Sequence, residues 1–497
     1  MMKKPTEIPD LLDTLLSQAM ANGELCAVDD GKAAVTYEQL IALAKNIART
    51  IFSKSKKPCP KVLVALSSST SAFASMIASM MSGGTFCPVD ITGVPERNRT
   101  ICRLFDPDVI VHDGVTPAFL DAIPVTTRLL DLSRLPSDCG QVEVVNEHND
   151  VAYVVFTSGS TGVPKGVKVG RMEFSYFVDV AQRYFNVIAG ERWGQWTNLG
   201  HDLAVMDVFM ALVHGATLVP LSPAERIRPA MAIKNRYIAI WQSVPSVLEM
   251  MLRANQLSAD FLSTLRVISF CGEPLHRHHL DALFEACPKL EVFNTYGATE
   301  TIGFNTLNRL TSTNYANSCE AGSVAIGDDV PGWSLFLRGG LNDDEGEIVM
   351  ASDYLSLGYW QDEERTRAAF RQVDVGDSKE ARCYFTGDRG VRKNSLIYCL
   401  GRTDRQVKIL GERIELDEID FVLRDAGFRG AYTLFRDGEL YSFVETADTI
   451  DEERIRKLLL ASLPFHAVPK SIRALPLLPR NQNGKIDRAA IEREIQP

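Results

Sequence analysis

The sequence predicts an α/β protein with a large N-terminal domain of mixed and parallel sheets packed with helices, followed by a small α+β domain. Three observations carry this. Short apolar strand candidates alternate with helix-length segments through most of the chain. The strand candidates are short and mostly apolar, as at Val62–Leu66 and Val151–Thr157. A strongly charged run begins near Gly401 and extends to Asp420, which puts a boundary at about residue 402 and leaves a C-terminal unit of ordinary small-domain size.

In chain order, Leu11, Leu12, Leu15, Leu16 and Met20 fall on one side of an amphipathic N-terminal helix. Strands are expected at 62–66, 109–112, 151–157, 217–221, 238–241 and 266–270, and helices at 71–81, 207–213, 247–253 and 279–286. No repeat and no low-complexity tract interrupts them.

The chain has 497 residues and a net charge of −10, which argues against coating nucleic acid, since phosphate binding needs clustered basic surface. Ten scattered cysteines include no C-x-x-C pair, so neither a zinc site nor a disulfide framework is indicated. They suit a reducing cytoplasm. The start Met1-Met2-Lys3-Lys4 could open a signal peptide, but Glu7 and Asp10 follow. The apolar run 72–81 is far shorter than the ~20 residues of a membrane span. His276, His278 and His279 match no common zinc spacing.

The sharpest local feature is Tyr153-Val-Val-Phe-Thr157-Ser158-Gly159-Ser160-Thr161-Gly162-Val-Pro-Lys165-Gly166-Val167. A strand runs into hydroxyl residues and glycines, then a lysine. Glycines let backbone approach a ligand, hydroxyls and free N–H groups bind phosphate oxygens, and Lys165 supplies positive charge. Val163 and Pro164 separate Lys165 from the glycine, so this is not a P-loop.

This segment resembles the signature loop of the adenylate-forming superfamily: acyl- and aryl-CoA synthetases, luciferases and amino-acid adenylation domains. The other family blocks follow in family order: Gly272-Glu273-Pro274, Asn294-Thr295-Tyr296-Gly297-Ala298-Thr299-Glu300, Gly346-Glu-Ile with Gly358-Tyr-Trp, Tyr384-Phe-Thr386-Gly387-Asp388, Gly401 to Glu415, and Asn483-Gly484-Lys485-Ile-Asp487-Arg488. The resemblance implies an adenylation core over 1–402 and a mobile lid over 403–497 that hinges at Asp404 and carries the catalytic Lys485. It implies ATP and Mg²⁺ as cofactors. Tyr296 lies against adenine, Thr299 meets the α-phosphate, Glu300 holds Mg²⁺, and Asp388 with Arg402 takes the ribose. Ala298, Phe385 and Leu410 depart from the usual Pro, basic residue and Arg, and none removes a chemical group.

His201-Asp202 resembles the block in which an aspartate pairs with the α-ammonium of an amino acid. By that alignment the pocket is Asp202, Leu203, Met206, Gln242, Ser269, Cys271, Thr295, Gly303 and Phe304. The pattern is similar to D-alanine–carrier protein ligases, with Phe304 where those have a small residue. This implies glycine first and alanine second, with the glycine–carrier protein ligase of lipid A modification as an analogue. The chain reads as freestanding, its acceptor the phosphopantetheine of a separate carrier protein. An acyl- or aryl-CoA synthetase and a non-catalytic nucleotide-binding regulator are the competing readings. Asp202 could also simply cap the helix beginning near Val205.

Overall fold

The computed structural model describes residues 8–114, 119, 123, 126–135, 149–159, 163–340, 344–374, 380–402, 404–480 and 486–495. Ser160, Thr161 and Gly162 of the phosphate loop and Asn483, Gly484 and Lys485 of the terminal block lie outside the described residues.

Two sheets dominate the first 310 residues. The larger runs in the order 328–329, 306–310, 291–296, 267–270, 240–243, 192–195, 217–220, 26–29, 34–36, and its six central strands are parallel. The second runs 128–131, 109–112, 61–65, 85–89, 151–157, 165–170, parallel except for the last strand. Parallel strands must be covered on both faces, which explains their continuous apolar runs. The helix Asp202–Val213 is buried at every position. It packs on strands 192–195 and 217–220, and its Phe209 meets the rings of Phe86 and Phe174 at 6.2 and 5.2 Å.

A third, antiparallel sheet follows: 334–339, 345–351, 380–393 and 370–374, with 396–402 pairing to 380–393. Beyond it, Gln406–Ile409 and Glu412–Glu415 form a hairpin. Its two turn residues, Leu410 and Gly411, both have positive φ, 53° and 77°, the geometry of a tight twisted hairpin turn. A three-stranded sheet, 431–436, 439–445 and 471–475, packs with the helices Leu416–Asp425 and Glu452–Ser462. Its core, which includes Ile419, Leu423, Val444 and Leu459, is separate from the core of the large sheets.

Most expected elements appear within two residues of their anticipated ends. The strand expected at 238–241 is shifted to Ile240–Ser243. The helix expected at 207–213 already starts at Asp202, and its N-cap is His201 rather than Asp202. Met20 is 83% exposed, and Ala19 joins Leu11, Leu12 and Leu15 on the buried side of the first helix. No helix among the described residues is long and apolar enough to cross a membrane.

Phe209→Ala empties a fully buried, aromatic-lined position and should destabilise the protein by about 3–5 kcal/mol. Urea unfolding followed by tryptophan fluorescence measures this, and a loss below about 1 kcal/mol contradicts the packing described.

Candidate functional site

The C-terminal ends of the parallel strands converge on one cleft, where ligands of open α/β sheets bind. Strand 151–157 delivers Thr157 and Ser158, strand 267–270 leads to Cys271 and Gly272, and strand 291–296 ends at Tyr296. Two adjoining chambers, the larger holding Tyr296 and the smaller holding Asp202, share Gly272, Asp388, Arg402 and Lys408.

In the larger chamber, the Tyr296 hydroxyl donates to Asp388 Oδ2 at 2.6 Å, and Arg402 Nη1 donates to Asp388 Oδ1 at 2.8 Å. Arg402 also grips Asp404 through Nε and Nη2, both at 2.7 Å. Glu273, Thr295 and Asn294 line the same chamber. Asn294 spends its amide on the Ala325 carbonyl at 2.8 Å, and Thr295 its hydroxyl on the Phe270 carbonyl at 2.9 Å. Gly297 has no room for a side chain, because a Cβ would collide with the Gly303 carbonyl.

At the centre of the site Glu300 is fully buried. Lys165 Nζ lies 3.1 Å from its Oε1, the Tyr359 hydroxyl 2.8 Å, and Arg413 Nη1 3.3 and 3.4 Å from its two oxygens. Burial by itself pushes the Glu300 carboxyl up. Lys165 and Arg413 outweigh it and hold the group well below the usual carboxylate range. Burial, then the Arg413 charge, lowers Lys165 against the opposing pull of Glu300.

The smaller chamber contains Asp202, Leu203, Cys271, Thr299 and Gly303. The Thr299 hydroxyl donates to Asp202 Oδ2 at 2.6 Å. Met206, Gln242, Ser269 and Phe304 are buried behind this lining. Phe304 packs edge-on against Phe177, with ring centroids 5.2 Å apart. A Cβ on Gly303 would collide with the Phe177 ring and lie 3.0 Å from the Met206 sulfur.

The hairpin 406–415 reaches into this cleft from the C-terminal unit. Besides the Arg413–Glu300 contact, the Arg413 carbonyl accepts from the Ser158 hydroxyl. Gly411 N–H donates to Glu273 Oε1 at 2.8 Å, and the Gly411 carbonyl faces His201 Nε2 at 3.3 Å. Sequence alone does not mark Arg413, Tyr359, His201 and Gly411 as site residues. Their motifs contain them, but their partners lie 59 to 210 positions away.

Glu249, His278 and His279 also come together. The His276 N–H donates to His279 Nδ1 at 3.2 Å, which leaves the ring proton on Nε2, facing Glu249 Oε2 at 3.4 Å. A proton there makes this a histidine–carboxylate contact rather than a ligand set.

The family described as AMP-binding enzyme matches residues 16–360. The D-alanine–D-alanyl carrier protein ligase of Staphylococcus haemolyticus is 29% identical, over 98% of this chain and 99% of its own length. That of Bacillus licheniformis is 27% identical over 98% and 99%. The Vibrio cholerae adenylation domain AlmE in complex with glycyl-adenosine-5′-phosphate has the same fold, with a TM-score of 0.84 and 23% identity over 100% and 99% of the two chains.

Glu300→Gln removes the carboxylate that Lys165 and Arg413 contact directly, leaving the more distant buried Glu415, and should cost about 3–5 kcal/mol at pH 7. Because the folded carboxyl titrates below its ordinary value of 4.5, its contribution is present above that value and lost as pH falls through the folded one. The gap between wild type and variant should therefore close in acid; a gap unchanged from pH 7 to pH 3 in urea unfolding contradicts this. Arg413→Ala should loosen the hairpin, read as at least about threefold faster protease cleavage between residues 401 and 416. An unchanged rate contradicts the docking role.

Proposed function

The chain belongs to the AMP-binding enzyme family, and from that premise we propose that it activates a small amino acid, glycine first, as an aminoacyl-adenylate and passes it to the thiol of a separate carrier protein. The observation that carries this reading is Asp202: a buried carboxylate at the wall of the smaller chamber, beside Thr299. A buried carboxylate is held by cationic partners. His201 Nδ1, 2.8 Å from Oδ1, is one in this structure, and an α-ammonium entering the chamber supplies another that a fatty or aryl acid lacks.

ATP fits the paired chambers. Tyr296 and Gly272 offer surfaces for adenine, and Asp388 with Arg402 offers hydrogen bonds for a ribose. Thr299 and Lys165 offer an O–H and an ammonium as donors for phosphate oxygens. Glu300 has the hard oxygens that suit Mg²⁺, and both face Arg413 while the hairpin is docked. A cation at Glu300 therefore calls for the hairpin to withdraw. Lys485, outside the described residues, is proposed to bridge the substrate carboxylate and phosphate in the first half-reaction, with rotation about Asp404 exchanging it for the hairpin in the second.

Glycine is put before alanine because Phe304 stands where the similar D-alanine ligases have a small residue. Phe304 and Phe177 pack edge-on, buried behind the lining of the smaller chamber, and filling that space leaves less give for one extra methyl, at about 1–3 kcal/mol. The D-alanine ligases support alanine as the second candidate. Carrier-bound glycine is a donor of the kind used in lipid A modification.

Pyrophosphate exchange with glycine, D-alanine, L-alanine, L-serine and β-alanine tests this. Glycine should give the highest kcat/KM, by about tenfold or more over either alanine. Asp202→Asn should lower it by at least about a hundredfold. Strong alanine exchange with weak glycine overturns the glycine assignment, and exchange only with fatty or aryl acids overturns the amino-acid reading.

A further inference from the structure

His201 is placed between two acceptors. Its Nδ1 lies 2.8 Å from Asp202 Oδ1, and its Nε2 lies 3.3 Å from the Gly411 carbonyl. A carboxylate and a carbonyl can only accept, so keeping both contacts calls for protons on both ring nitrogens. The ring is then an imidazolium, and Asp202 already has a cation. The same Nδ1 also lies 3.2 Å from the Leu203 N–H. A neutral ring protonated on Nε2 keeps the Gly411 contact and turns Nδ1 into an acceptor for that helix-capping N–H.

We propose that His201 is a positioning residue that holds Asp202 as a surrogate for the substrate's ammonium and yields it by giving up one proton. The proposal rests on the amino-acid reading of the site. In the empty enzyme the imidazolium spares Asp202 the cost of an unpaired buried charge. When the ammonium arrives, two cations compete for one carboxylate. The Nδ1 proton leaves to solvent, Nδ1 accepts from Leu203, and Asp202 passes to the substrate.

The charges around the ring support this. On its own helix Asp202 and Asp207 face it, and from the hairpin Lys408, Glu412 and Arg413. Asp388 and Arg402 lie across the chamber, and Arg97 and His466 line the adjoining cleft. Burial opposes the ring's charge, but Asp202, then Glu412 and the Gly411 carbonyl, push its pKa up to about 9.

The test is the pH dependence of the glycine Kd of the nucleotide-free enzyme, the state with the hairpin on His201, measured by calorimetry between about pH 6.5 and 8.5, where the free amino acid stays an ammonium and the ring starts out charged. Competition with one proton predicts a Kd that falls by up to about tenfold per pH unit. His201→Gln, which cannot titrate, should flatten the profile to within about twofold. Binding with a pH-independent wild-type Kd overturns this proposal alone, whereas no pyrophosphate exchange with any amino acid overturns the amino-acid reading and this proposal with it. If His201→Gln does not bind glycine, ¹³C NMR of the histidine rings in the unaltered protein decides: the His201 midpoint should fall by more than about one pH unit on saturation with glycine. An unmoved midpoint overturns the proposal.

Discussion

The buried carboxylate of Glu300 is the constraint on which the site depends. A charge at that depth persists only with opposite charge and hydrogen bonds around it. Lys165 comes from the strand after the phosphate loop, Tyr359 from the segment joining two strands of the third sheet, and Arg413 from the hairpin. One carboxylate thereby ties the two large sheets, the antiparallel sheet and the C-terminal unit to a single point.

That point also links structure to chemistry. The groups that neutralise Glu300 are those that a nucleotide phosphate and its cation need. Docking of the hairpin places Arg413 on Glu300, engages Ser158, and sets Gly411 against Glu273 and His201. On the proposed function, a phosphate-filled arrangement would draw on the same side chains as the docked one, and competition for those shared partners is what would move the C-terminal unit.

The helix Asp202–Val213 joins packing to the shape of the smaller chamber. Its burial fixes Asp202 at the chamber wall and Met206 behind Gly303, with Phe177 packed against the same glycine. Phe304 lies edge-on to Phe177 behind the lining rather than in the chamber, a distinction that motif spacing does not express.

Apolar periodicity, turn residues and motif spacing are enough to reach the α/β class and most strand and helix positions, and they single out the acidic residues that the fold brings to one cleft. All of these are local properties of the chain. The early start of the helix at Asp202, the shifted strand Ile240–Ser243 and the exposed side of Met20 are not legible there, because burial depends on what packs against an element. The pairing of Glu300 with Arg413, the doubly bonded His201 and the wall built by Phe177 arise only once the chain is folded. Each joins residues far apart in the chain, and the physical reason is the same: a side chain's charge, proton and shape matter through its neighbours in space.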